Sequence, residues 1–239
     1  MGLVVGQAVV DEFLHRSLQA TSVEELQRAF QKACAMLGYN RFLYAAVRNH
    51  PDVLLPWSGS SYPDSWLKHY MEKGYDKTDP IRSYVGTVNG GFTWNDLRDR
   101  LPASRRLIFY EAEEAGLRSG VGVALHGPLG QLVGFGMASD QNHQDTPEAV
   151  AALSLLAVQM HAAYSRICGL DPPEAPHLTA RETEVLKWCS SGASAWQISE
   201  QLQLSQASVE WHLKNIYDKL GVANRTGAVA KAMSLGLLF

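Results

Sequence analysis

The sequence predicts an α+β protein: an N-terminal α/β/α sandwich around an antiparallel sheet, followed by a small all-α domain of four helices. Three observations carry that prediction. Through the first 168 residues the segments run helix, strands, helices, strands, helix. The stretch "GLDPPEAPH" then ends all periodicity with three prolines and two acids, and reads as a linker. Beyond it, helix caps recur at short intervals. The expected boundaries are 1–168 for the first domain, 169–176 for the linker and 177–239 for the second.

The elements follow in order. "TSVEELQRAFQKACAMLGYN" is a helix, with Ser22 and Glu25 in capping-box spacing, an apolar stripe of Leu26, Phe30, Ala33 and Leu37, and Gly38 as its stop. "RFLYAAVRN" and "DVLLPWSG" are rich in branched and aromatic residues and read as strands. "YPDSWLKHYMEKGYDKTDP" reads as a short helix with Pro63 at its first position. Tyr62, Trp66 and Tyr70 then share one face, and Tyr75 and Asp79-Pro80 follow. From this stretch alone, a core-filling stripe and the wall of a ligand pocket both stay open. "SGVGVALHG" and "GQLVGFGMAS" are strands joined by "HGPLG", where Pro128 and Gly130 supply the bend. "TPEAVAALSLLAVQMHAAYSRICG" is a long helix with Thr146 as cap and Pro147 in its first turn. It is apolar around most of its circumference, so it needs cover on more than one side and suggests a subunit interface.

Composition narrows the class. A chain of 239 residues with 46% hydrophobic and 19% charged residues has material for a real core. No apolar run reaches the roughly 18 residues of a membrane span. The N-terminus lacks the features of a secretory signal or a myristoylation site. Three scattered cysteines, Cys34, Cys168 and Cys189, show no zinc or disulfide spacing. A cytoplasmic protein with no membrane partner is expected. Net charge is −3, and the residues from His177 onward carry six Lys/Arg against five Asp/Glu. That basic bias is too small to suggest nucleic acid by itself.

The tail is more specific than its charge. Thr179 with Glu182 and Ser194 with Gln197 form capping boxes, Ser205 caps a third helix, and a fourth runs from about Thr226 to Leu237. Two short helices separated by a brief turn have helix-turn-helix geometry, whose second helix enters the major groove. The wording "LTARETEVLKWCSSGASAWQISEQLQLSQASVEWHLKNIYDKLGV" strongly resembles the LuxR-type DNA-binding domain. Upstream, Trp66, Tyr70, Asp79-Pro80, Trp94 and Gly120 fall at the spacing of the autoinducer-binding domain of acyl-homoserine-lactone receptors. The chain is therefore identified, by resemblance, with quorum-sensing LuxR-type transcriptional regulators.

That resemblance implies a ligand and two sets of residues. The effector would be an N-acyl-homoserine lactone, with no cofactor. Trp66 would donate to the lactone carbonyl, Asp79 would accept from the amide N–H, and Tyr62 would donate to the amide carbonyl. Tyr70 would pack and order the head, while Trp94, Phe109, Tyr110 and Ala112 close the lactone end. Two positions depart from some relatives: Ile81 stands where Ser or Thr follows Asp-Pro, and Gly136 stands where a strand Ser bonds the head. Both make the pocket less polar. Acyl length and 3-oxo substitution are left open.

For DNA, the outward face of the third tail helix offers Gln206, Ser208, Glu210, Trp211, Lys214 and Asn215, with Glu210 and Lys214 at base-reading positions of the family. Thr179, Arg181, Ser194, Trp196, Lys219 and Arg225 are candidates for phosphate contacts. The resemblance further implies a homodimer on an inverted repeat with half-sites about 10 base pairs apart, and RNA polymerase as a partner. Activation is the family's commoner output, although the residues do not fix the sign. A regulator answering to another small molecule, or to none, is the alternative. An esterase is disfavoured, since the chain has no G-x-S-x-G elbow and its eight His lack metal spacing.

Overall fold

The computed structural model of the protein describes residues 2–48, 59–127, 131–142, 145–170 and 176–238, which fall into two units, one on each side of 171–175. In the first, five antiparallel strands form one sheet: β1 (Arg41–Arg48), β2 (Gly59–Ser60), β3 (Gly90–Thr93), β4 (Ser119–His126) and β5 (Leu132–Ser139), in the order β2-β1-β5-β4-β3. Most of the expected strand "DVLLPWSG" lies outside the described residues, and only its last glycine appears, opening β2. Pro128 and Gly130 of the expected hairpin turn also lie outside them.

The alternation of the central strands divides the sheet into unlike faces. Phe42, Tyr44, Val121, Val123, Val133, Phe135 and Met137 point one way and are buried in one core cluster. That face is covered by α1 (Gly2–Gln19), α2 (Val23–Met36) and α8 (Pro147–Cys168), which bring Phe13, Leu26, Phe30, Leu153, Leu156 and Met160 into the same cluster. The other face of β4 and β5 carries Gly120, Gly122, Ala124, Gly134, Gly136 and Ala138, with Gly122 opposite Gly136 in register. A surface this flat cannot fill the space under a covering helix. The covering here comes from α3 (Asp64–Glu72), α4 (Tyr75–Thr78), α5 (Pro80–Val85), α6 (Trp94–Arg100) and α7 (Leu107–Glu114). Helices therefore flank the sheet on both sides, as the sandwich expectation requires.

Local chemistry sets most helix starts. Ser22, Thr93 and Thr146 each accept the backbone N–H three residues on, and Asp79 accepts from Ile81. Pro63 is a correction: it precedes α3 in an extended conformation, with φ −58° and ψ 134°, instead of occupying the first helical turn. Tyr62 therefore lies before the helix and not on its stripe.

The second unit is all helical: α9 (Ala180–Ser190), α10 (Ala195–Leu202), α11 (Gln206–Leu220) and α12 (Arg225–Ser234). Both predicted capping boxes are complete, Thr179 with Glu182 and Ser194 with Gln197, and Ser205 caps α11. The last helix begins one residue earlier and stops sooner than its apolar pattern suggests. Val185, Leu186, Ile198, Val209, Leu213, Ile216 and Leu220 form its core, joined by Ala228 and Ala232.

Candidate functional site

The glycine-lined face of the sheet and the helices above it enclose a cavity of about 400 Å³, within the size range of small-molecule sites. Of the residues expected around a ligand, Tyr62, Trp66, Tyr70, Asp79, Ile81, Trp94, Phe109, Ala112 and Gly136 line it. Tyr110 does not. It is 50% exposed, because one step along α7 turns it about 100° away from the Phe109 face. The sequence reading missed Leu43 and Ala45 of β1, Leu67 and Met71 of α3, and Val85, Ile108 and Leu117. For the β1 pair the signal was available: they alternate with the core-facing Phe42 and Tyr44.

Polar groups in this apolar wall are few. Asp79 caps α5 by accepting the Ile81 N–H at 2.7 Å, and its other oxygen accepts the Tyr70 hydroxyl at 2.8 Å. Burial pushes its carboxyl above the ordinary range, against the pull of Tyr70 and of the Ile81 and Arg82 backbone. Burial, then the nearby Asp79 carboxylate, push the Tyr62 phenol up, so its hydroxyl keeps its proton as a donor. Among the described residues, the Tyr62 hydroxyl and the Trp94 indole N–H are both buried without a hydrogen-bond partner. An unmade bond of this kind costs roughly 1–3 kcal/mol. Such a cavity suits a largely apolar guest that brings both an acceptor and a donor.

Two glycines set how closely the aromatic rings approach the sheet. A Cβ on Gly120 would stand 2.5 Å from the Trp94 indole, and one on Gly136 would stand 2.6 Å from the Tyr62 hydroxyl. Both rings therefore lie directly on backbone. Gly120→Ala is expected to push Trp94 out of place and to destabilise the first unit by about 1–3 kcal/mol, the usual overpacking range. Thermal unfolding with and without ligand measures it, and an unchanged melting temperature would refute the close-packed arrangement.

In the second unit the turn between α10 and α11 is brief. Gln203 takes a left-handed conformation, with φ 52°, and Ser205 caps the next helix. Gln206, Glu210, Trp211 and Lys214 are exposed on α11, while Ser208 and Asn215 are half-buried. Trp211 is 60% exposed and packs edge-on against His212. Trp196 is exposed on α10. The other side chains expected at phosphates have partners inside the unit. Arg181 pairs with Glu184 at 2.7 Å and donates to the Leu202 carbonyl, and Arg225 donates to the Ala193 carbonyl. Lys219 pairs with the buried Glu182 at 2.6 Å. Thr179 and Ser194 use their hydroxyls as caps. These five side chains make contacts that hold the unit together. Lys214 is the cation best displayed on α11.

Among the described residues, no helix is long and apolar enough to cross a membrane, and no cluster of His, Cys, Asp and Glu could hold a metal ion.

Comparison with known proteins finds a family for each of the two units. A family described as "Autoinducer binding domain" matches residues 22–164, and one described as "Bacterial regulatory proteins, luxR family" matches residues 176–232. A quorum sensing-dependent transcriptional regulator, RpaR of Rhodopseudomonas palustris, is 30% identical over 229 residues, 93% of this chain and 92% of that protein. The putative HTH-type transcriptional regulator y4qH of Sinorhizobium fredii is 33% identical over 181 residues. That match takes in 74% of this chain but only 56% of the relative's length. The crystal structure of Escherichia coli SdiA has a TM-score of 0.66 at 23% identity, covering 96% of this chain and 98% of that one, which is a likeness of fold.

Proposed function

We propose, from the premise that this chain belongs to the LuxR family of quorum-sensing bacterial transcriptional regulators and carries their autoinducer-binding domain, that its ligand is an N-acyl-homoserine lactone. One observation carries the choice of ligand. A single apolar cavity wall holds a half-buried carboxylate, Asp79, and a buried hydroxyl without a partner, Tyr62. An acyl-homoserine lactone brings an amide N–H for the first and a carbonyl for the second, on a tail the apolar wall accepts. Trp66 is the donor for the lactone carbonyl, and Trp94, Phe109 and Ala112 enclose the ring. Each buried methylene of the tail adds about 0.8 kcal/mol.

The output is DNA binding by a dimer. On α8, Ala151, Leu155, Val158 and Ala162 recur at helical spacing and are exposed, Leu155 at 57% and Val158 at 52%. This stripe is the face we assign to a second copy. Paired α11 helices then read an inverted repeat in successive major grooves, with Lys214 and Glu210 toward base edges and Trp211 offering apolar contact to thymine methyls. Ligand at a hundredfold excess over its dissociation constant stabilises the folded domain by about 2.7 kcal/mol, and so favours the dimer. Activation through RNA polymerase is the expected output.

The test is expression in cells fed a panel of acyl-homoserine lactones, followed by mass spectrometry of what co-purifies and by selection of bound DNA from a random pool. One lactone should be retained at about one per chain, and the selected DNA should contain a two-fold repeat. Recovery of no lactone from any member of the panel would remove the ligand assignment.

A further inference from the structure

We propose that Glu111 is a positioning residue for ligand recognition: it clasps Tyr75 and His69, and through them it fixes the Trp66 indole against the head of the bound lactone. The proposal deepens the lactone reading above and rests on it.

Trp66 is buried, with three rings packed around it: His69 at 5.9 Å, Tyr70 at 6.0 Å and Tyr75 at 6.5 Å between centroids. Asp79 holds Tyr70 from the cavity side. The outer pair is held by one atom. Glu111 Oε2 accepts the Tyr75 hydroxyl at 2.6 Å and lies 2.7 Å from His69 Nε2. Tyr70 and Tyr75 meet edge to face at 5.8 Å. Trp66 thus packs against two tyrosines, each tethered to a carboxylate from another element.

Glu111, Tyr75 and His69 are absent from the cavity wall, so contact with a guest does not explain their arrangement. What they do is back the ring that would touch the guest. Glu111 also lies between Phe109 and Ala112 on α7, both of which face the cavity. The same carboxylate therefore ties the α7 wall to α3 and α4. Tyr75 and then His69 hold the Glu111 carboxyl below its usual range, which keeps it an acceptor at neutral pH. Tyr75 is pushed up to about 12, chiefly by loss of solvent, and remains the donor. The consequence follows from hydrogen-bond geometry. An N–H bond weakens steeply once its angle drops below about 120°, whereas apolar contact tolerates small rotations. An indole that loses its backing should therefore lose the bond to the lactone carbonyl before it loses packing.

A pair of ligands separates these two losses. N-octanoyl-homoserine lactone and N-cyclopentyl octanamide share tail, amide and ring size, but only the first has the lactone carbonyl. Binding of both is measured to wild type, Glu111→Ala, Glu111→Gln and Tyr75→Phe in the full-length protein. For Glu111→Ala, affinity for the lactone should fall about tenfold, the loss of one buried hydrogen bond, while affinity for the cyclopentyl amide changes less than about twofold. Glu111→Gln keeps an acceptor oxygen and should restore most of the difference. Tyr75→Phe, which keeps the ring and removes one bond to the clasp, should give an intermediate loss and carries the test if Glu111→Ala does not fold. Equal loss on both ligands makes Glu111 a plain structural strut and overturns the proposal, as does no loss on either. A wild type that does not prefer the lactone overturns the lactone reading as well, and that result is read without any variant.

Discussion

Glu182→Ala is expected to lower the melting temperature of the C-terminal unit by about 12–24 °C. The residue is 3% exposed and makes two contacts at once. It accepts the Thr179 N–H at 2.7 Å, completing the capping box of α9. It accepts Lys219 Nζ at 2.6 Å, tying α9 to α11 across 37 residues of sequence. Loss of an N-terminal cap costs about 0.5–2 kcal/mol, and breaking a buried pair costs about 3–5 kcal/mol. The Lys219 side chain is 36% exposed and can rehydrate, which places the total near 3 kcal/mol. For a domain this small, each kcal/mol moves the midpoint by about 4–8 °C.

The same residue predicts an acid limb. Burial acts to raise the Glu182 carboxyl, but Lys219 and the Thr179 contacts outweigh it, and its pKa is lowered from 4.5. A depressed carboxylate contributes stability that is complete above its unfolded value and is lost as pH falls through the folded one. Glu182→Gln should therefore cost most at neutral pH and converge with wild type in acid. Calorimetry of the full chain, read at the transition of this unit, tests both statements. A shift under about 4 °C, or a difference independent of pH, would show that the pair contributes nothing beyond packing.

Glu182 also marks where sequence reading succeeds and stops. Its capping role was legible because a box spans only four residues, and Thr179, Ser194 and Ser205 all cap as their spacing foretells. Its pairing with Lys219 was not, since nothing local links positions in different helices. Lys219, Arg181 and Arg225 were accordingly expected at phosphates, and each has a partner inside the unit. Helix α1 forms from a valine- and glycine-containing stretch because Val9 and Phe13 bury against α2 and α8, a tertiary cause that leaves little periodic trace. Strand β3 begins with two glycines and is held by its pairing with β4. The cavity was partly legible. "SGVGVALH" and "LVGFGMAS" alternate small residues with large ones, and a sheet face made of glycine and alanine leaves space that covering helices do not fill. The aromatic residues needed to wall that space came from the resemblance, and the cavity brings all but Tyr110 together.

Asp79→Asn is expected to reduce lactone affinity by about 10–100-fold, the range for a hydrogen bond to a charged acceptor worth about 1.5–3 kcal/mol. The substitution keeps the size and leaves an oxygen able to accept from Ile81, so the start of α5 survives. It removes the charge that receives both the Tyr70 hydroxyl and, in our assignment, the amide N–H of the guest. The pH dependence of wild-type binding is a second, independent reading of the same group. Asp79 is raised above 3.8, first by burial, so the empty site takes up a proton more readily than an exposed aspartate does. Folding stability at this group runs opposite to that of Glu182: it is fullest below the unfolded value and lost as pH rises through the folded one. An amide N–H stabilises the ionised form, so the guest binds in competition with that proton. Affinity should fall as pH descends from neutrality into the interval above 3.8, and Asp79→Asn should abolish that fall. Calorimetric titration across this interval decides it. If affinity is flat with pH in wild type, or if Asp79→Asn binds the lactone as tightly as the parent, the carboxylate does not receive the amide and the head must lie elsewhere in the cavity.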